Sequence, residues 1–103
     1  MIFVNQKIGL STTFTESGVV IDISGGTVTY EYYYPGDSSS TPSGTISGSV
    51  VSGPDGTATD EITAEINNTV GENFRVQAVV IVSGDTYRAQ TTCFQIYPLG
   101  AGC

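Results

Sequence analysis

From residue 7 to residue 14 the apolar side chains Ile8, Leu10 and Phe14 fall on alternate positions, with Thr12 in phase. That period of two predicts a strand with one buried face. Residues 18–23 are short and apolar and end at Gly25-Gly26, which fits either a second strand or an extended link. Val28, Tyr30, Tyr32 and Tyr34 alternate with Thr27, Thr29, Glu31 and Tyr33. A strand therefore runs to Pro35, which lacks the N–H needed to continue a ladder. Two weaker alternations follow, residues 44–52 with Ile46 and Val50 in phase, and residues 57–66 with Ala58, Ile62, Ala64 and Ile66 in phase. Between them Gly53-Pro54-Asp55-Gly56 has the composition of a turn. Within residues 60–67, Ile62 and Ile66 are four apart, which allows one helical turn, but the Thr and Ile content favours a strand.

The C-terminal third carries the strongest pattern. Phe74, Val76, Ala78, Val80 and Val82 alternate with Arg75, Gln77, Val79 and Ile81, and Ser83-Gly84-Asp85 then turns the chain. Tyr87, Ala89 and Thr91 alternate on the way back, which completes a β-hairpin. Beyond Cys93 the apolar phase shifts to Phe94 and Ile96, as a one-residue bulge near Thr92-Cys93 would produce. About seven short strands, glycine-rich turns and no helical period predict an all-β chain, a single antiparallel β-sandwich domain of immunoglobulin-like type over residues 1–103.

Composition narrows the function. The 103 residues include 10 Asp and Glu against 3 Lys and Arg, a net charge of −7, with no His and no Trp. Three cations cannot neutralise the several phosphates that give nucleic-acid affinity, and a body this acidic is repelled by nucleic acid and by anionic membranes alike. The longest apolar run, Ala78-Val79-Val80-Ile81-Val82, is far short of the ~20 residues that span a bilayer. Residues 1–10 show no basic n-region with a cleavage site, so a cytoplasmic origin is expected. In that compartment thiols stay reduced, and Cys93 and Cys103 are not expected to pair. For the same reason Asn67-Asn68-Thr69, formally a glycosylation sequon, is expected to be silent.

Without His no nucleophile has its usual base, and two Cys alone cannot complete a zinc site. Asp55, Asp60, Glu61 and Glu65 match no calcium-loop spacing and read as solubilising surface charge. No enzyme activity and no cofactor are expected. The compositional oddity is the run Tyr30, Tyr32, Tyr33 and Tyr34. On a strand Tyr30, Tyr32 and Tyr34 share one face and Tyr33 takes the other. Tyr30 and Tyr32 fit the core. Tyr33 and Tyr34 are candidates for a protein interface, because tyrosine brings contact area at low entropy cost. A sugar-stacking platform is the alternative use of the same rings. Phe3 and Tyr97, near the two chain ends, are further interface candidates, on the expectation that partner chains hold both termini.

The order of these features resembles small immunoglobulin-like proteins encoded among the structural genes of tailed bacteriophages. The resemblance is carried by Phe3-Val4-Asn5-Gln6 leading into an alternating strand, and by residues 26–36 with their Tyr-rich end at Pro35-Gly36. It continues through Gly56-Thr57-Ala58, residues 71–78, Ser83-Gly84-Asp85, and a closing Phe94-Gln95-Ile96-Tyr97. Phe74 stands where tryptophan is commoner in that group. What the resemblance implies is a virion component made in the host cytoplasm: a capsid decoration, neck, tail or baseplate adaptor. Its partners would be other virion proteins and copies of itself, with no catalytic residues to carry over. A carbohydrate-binding or adhesin-type module is the other class the same fold allows.

Overall fold

The structure is a computed structural model and describes residues 1–101. Among these the chain forms eleven strands and no helix. In order they are β1 (Ile2–Phe3), β2 (Ile8–Thr13), β3 (Thr15–Glu16), β4 (Val19–Val20), β5 (Thr27–Tyr33) and β6 (Gly44–Ser47), followed by β7 (Ser49–Ser52), β8 (Thr57–Ile62), β9 (Gly71–Val82), β10 (Asp85–Arg88) and β11 (Thr92–Tyr97). One sheet has the order β1-β11-β9-β5-β6, with β10 also on β9, and a second has the order β2-β8-β7. β3 and β4 form a separate two-stranded ribbon.

Both sheets contribute to one core. Ile8 and Leu10 of β2 and Ala58 and Ile62 of β8 pack with Val28 and Tyr30 of β5, with Phe74, Val76, Ala78 and Val80 of β9, and with Ile96 of β11. Tyr30 is 1% exposed, and its hydroxyl donates to Thr12 Oγ1 at 3.0 Å, bridging β5 to β2. Burial pushes the Tyr30 hydroxyl above its ordinary pKa. The alternation read along β2, β5 and β9 places its apolar phase inward in each case.

The expected count of about seven strands is corrected to eleven, and the reasons are local. Residues 44–52 break at Gly48, so that β6 pairs with β5 in one sheet and β7 pairs with β8 in the other. A chain can turn such a corner between layers only at a kink. Ser17 and Gly18 both take positive φ, 52° and 78°, and close β3 and β4 into a tight hairpin in place of a simple strand or link. The strand expected over residues 57–66 ends at Ile62, because Asn67 N–H turns back to donate to Thr63 O at 3.1 Å. The bulge expected near Thr92-Cys93 is also moved. Facing β11, the extra residue belongs to β9, where Asn73 has φ 65° and the register slips between Phe94 and Ile96. The change of apolar phase arises earlier, at residues 89–91, where the chain leaves the ladder between β10 and β11. Ala89 N–H still donates to Ala78 O at 3.0 Å and keeps that break flat on β9.

Candidate functional site

Tyr33 lies on the outer face of β5, as its phase requires, but it is only 8% exposed. The expectation of a free ring is corrected, and the cause is the serine-rich segment 35–43, which folds back over it. Asp37 accepts Ser39 N–H at 2.9 Å and Ser43 Oγ–H at 3.1 Å, and Ser43 N–H donates to Tyr32 O at 2.8 Å. Arg75, opposite Tyr33 across the ladder, stacks on the ring with its guanidinium carbon 4.2 Å from the centroid. Its Nη2 donates to Asp37 O at 2.8 Å and to Ser39 O at 3.2 Å. A planar guanidinium satisfies both demands at once, stacking by its face and donating at its edge. Arg75→Lys is therefore expected to free the segment and expose Tyr33, read as faster tyrosine iodination with the fold intact.

The backbone N–H of Ser39, and then the Ser39 and Ser43 hydroxyls and Arg75, hold the Asp37 carboxyl below the ordinary carboxylate pKa of 3.8. A lowered folded value contributes stability above the unfolded pKa that is lost as pH falls through the folded one. Acidification from neutrality to below pH 3.8 is thus expected to loosen residues 35–43 before the core melts. The check is a Tyr33 ring resonance that shifts with acid while Tyr30 stays fixed.

Beside Tyr33, a polar groove of about 380 Å³ is bordered by Glu31, Arg75, Gln77 and Arg88. Its polar groups are engaged with one another. Arg88 Nη1 donates to Glu31 Oε1 at 2.7 Å and to Gln77 Oε1 at 3.2 Å, while Gln77 Nε2 donates to Ala89 O at 2.9 Å. This network clamps the break between β10 and β11 onto the sheet. Tyr34 is half-buried, its ring centroid 5.6 Å from that of Tyr32 and 6.1 Å from that of Phe74. It extends the core toward the surface and is not a projecting side chain. Burial also raises the Tyr32 hydroxyl.

Phe3 and Tyr97 are brought together. β1 pairs with β11 in parallel with Phe3 opposite Tyr97, and the two rings lie 6.5 Å apart, both half-buried. Met1 at 67% and Leu99 at 70% exposure flank this pair in sequence and add apolar area. The segment is held from below by Asn67, which is fully buried and donates from Nδ2 to Phe3 O and Gln6 O at 2.9 Å each. Asn5 N–H returns a bond to Asn67 O at 2.7 Å.

Residues 1–6, 8–15 and 89–101 contain no Asp, Glu, Lys or Arg. Between them stands Lys7, 3.7 Å from Glu61. Those segments build β1, β2 and β11. The uncharged runs were legible in the sequence as gaps between charges. That they converge was not, because β1 and β11 are far apart in the chain.

Among the described residues no group of three or more His, Cys, Asp and Glu is placed to hold a metal ion. No helix there is long and apolar enough to cross a membrane. Cys93 is exposed on β11, and its relation to Cys103 lies outside the described residues. No family model matches the sequence, and comparison with curated proteins and with solved structures likewise finds no match.

Proposed function

We propose that the chain is a non-enzymatic structural component of a tailed-bacteriophage virion, an immunoglobulin-like antiparallel sandwich that acts through repeated protein–protein contacts. It would be made in the host cytoplasm and function in the particle, bound to other virion proteins and to copies of itself. The observation that carries this is the pairing of the Phe3 and Tyr97 rings beside the exposed Met1 and Leu99 side chains on a body of net charge −7. Flat contacts of this kind, repeated by symmetry, add through avidity even where each is weak. The strand order supports the fold assignment, with β2-β8-β7 facing β1-β11-β9-β5-β6 and a short parallel β1 on the last strand. The sequence lacks His, and its carboxylates are scattered, which favours a non-catalytic role.

The test is co-sedimentation of the full chain with the particle fraction of its source lysate. A fixed stoichiometry is expected. Replacing both Phe3 and Tyr97 by Ser is expected to lower occupancy about tenfold, as removal of interface anchors does. A chain that stays in the supernatant and binds glycans saturably as a monomer would transfer the assignment to a carbohydrate-binding module. Against that module, the Tyr33 ring that would serve as its platform is covered by Arg75.

A further inference from the structure

We propose that the groove between Arg75 and Arg88, on the outer face of the larger sheet, is a carboxylate site that takes an Asp or Glu side chain of a partner protein. This rests on the assembly role proposed above and names the chemistry of one of its contacts. The chain has three cations in all. Lys7 pairs with Glu61 of β8 at 3.7 Å. Arg75 and Arg88 both line the groove of about 380 Å³, and a single carboxylate, Glu31, lies there with them. On a body of net charge −7 this groove therefore carries an excess of positive charge.

Neither guanidinium is saturated. Arg75 is held in place by the Tyr33 ring and by its two Nη2 bonds to Asp37 O and Ser39 O, yet it has no ion-pair partner among the described residues. The Asp37 carboxylate is turned instead to Ser39 N–H and Ser43 Oγ–H. Arg88, its side chain 50% exposed, donates from Nη1 to Glu31 and Gln77. Its Nε and Nη2 have no acceptor among the described residues, and together they form the side-on fork that matches the two oxygens of a carboxylate. Because Glu31 and Gln77 already hold the Arg88 head, less ordering is left to occur on binding. Ser40 and Thr91, both exposed, add hydroxyls to the lining.

What the groove offers and withholds selects the ligand. A sugar acid would need an open aromatic face for its ring, and Arg75 occupies the face of Tyr33. A nucleic-acid backbone needs a run of cations along several phosphates. A carboxylate on a side chain needs a single fork, and it matches the single positive charge left when Glu31 is set against the two arginines.

The experiment is an NMR titration of the full chain with N-acetylglutamate amide, whose only charge is its side-chain carboxylate. Saturable shifts confined to Arg88 Nε–H, the Gln77 side-chain amide and Thr91 are expected, with a millimolar dissociation constant that weakens at least about threefold in ~0.5 M salt. Glu31→Gln removes the carboxylate that competes for Arg88 and is expected to tighten binding at least about threefold. Arg88→Gln is expected to weaken it at least about tenfold, as loss of a hydrogen bond to a charged group does. Both variants are expected to keep the circular dichroism spectrum of the parent. Both also break the Glu31–Arg88 clamp, so only a binding role gives them opposite signs. Absence of saturable shifts, shifts unchanged by Arg88→Gln, a Glu31→Gln variant that binds no tighter, equal binding of N-acetylglutamine amide, or tighter binding of glucuronate or inorganic phosphate would each overturn the proposal. A chain that joins particles but binds no carboxylate leaves the virion assignment standing, and a chain that binds the carboxylate but stays off particles overturns the virion assignment alone.

Discussion

Gly48→Val is expected to lower the unfolding free energy by about 3 kcal/mol or more, the upper end of the range for overpacked cores. Gly48 joins β6 to β7 at the corner between the sheets. A Cβ there would lie 2.7 Å from Val28 Cγ1 and 2.9 Å from Tyr30 Cε2, closer than real Cβ atoms come. Neither neighbour can yield. Val28 is 3% exposed, and Tyr30 is 1% exposed and tethered to Thr12 through its hydroxyl. Gly48 N–H also donates to Val28 O at 2.9 Å, so the backbone cannot lift away without losing that bond. Since domains of this size are stable by only ~5–15 kcal/mol, the variant stands near the limit of folding. Urea denaturation checks it, with Ser47→Val at the exposed adjoining position as control. Equal midpoints for Gly48→Val and the parent would contradict the corner.

Asn67→Ala is expected to cost about 2 kcal/mol, concentrated at the chain's first residues. Two backbone carbonyls, Phe3 O and Gln6 O, share the Asn67 Nδ2 donor, and Phe3 O also accepts Gln6 N–H at 3.2 Å. Each such hydrogen bond contributes about 0.5–1.5 kcal/mol net, so the loss of both accounts for about 2 kcal/mol. Alanine also removes Asn67 Oδ1, a buried acceptor with no partner among the described residues, and this offsets part of the loss. Native-state hydrogen exchange reads the effect at Val4, whose N–H donates to Tyr97 O at 2.9 Å and should open first. Asn67→Asp has the same shape but turns an acceptor toward both carbonyls. Its cost is expected to exceed that of Ala at neutral pH and to fall on acidification, because burial raises the pKa of such a carboxyl and its protonated form donates again. Loss of stability spread evenly over all amides would contradict a local tie. Because Asn67 also positions Phe3 beside Tyr97, the proposed virion role predicts that the Ala variant weakens particle incorporation along with the N-terminal edge.

The two variants mark the limit of what sequence pattern can specify. Alternation along residues 8–14, 27–34 and 74–82 determined β2, β5 and β9 and their inward faces, because a period of two is a local property of an extended chain. The turn at Ser83-Gly84 was legible for the same reason, being set by the φ of its own residues. The charge balance, the lack of His and the uncharged runs were also fixed before folding.

Tertiary structure alone decided the rest. Tyr33 has the phase of an exposed residue, and only the return of residues 35–43 and the stacking of Arg75 bury it. Gly48 reads as one more serine-rich turn until Tyr30 is seen against it. Asn67 reads as a sequon, and its burial under Phe3 and Gln6 joins segments more than sixty residues apart. Local pattern determines which face of each strand is apolar, since that depends on near neighbours in the chain. Which rings are covered, which edge stays open and which uncharged segments converge depends on contacts between distant residues, and these exist only in the folded molecule.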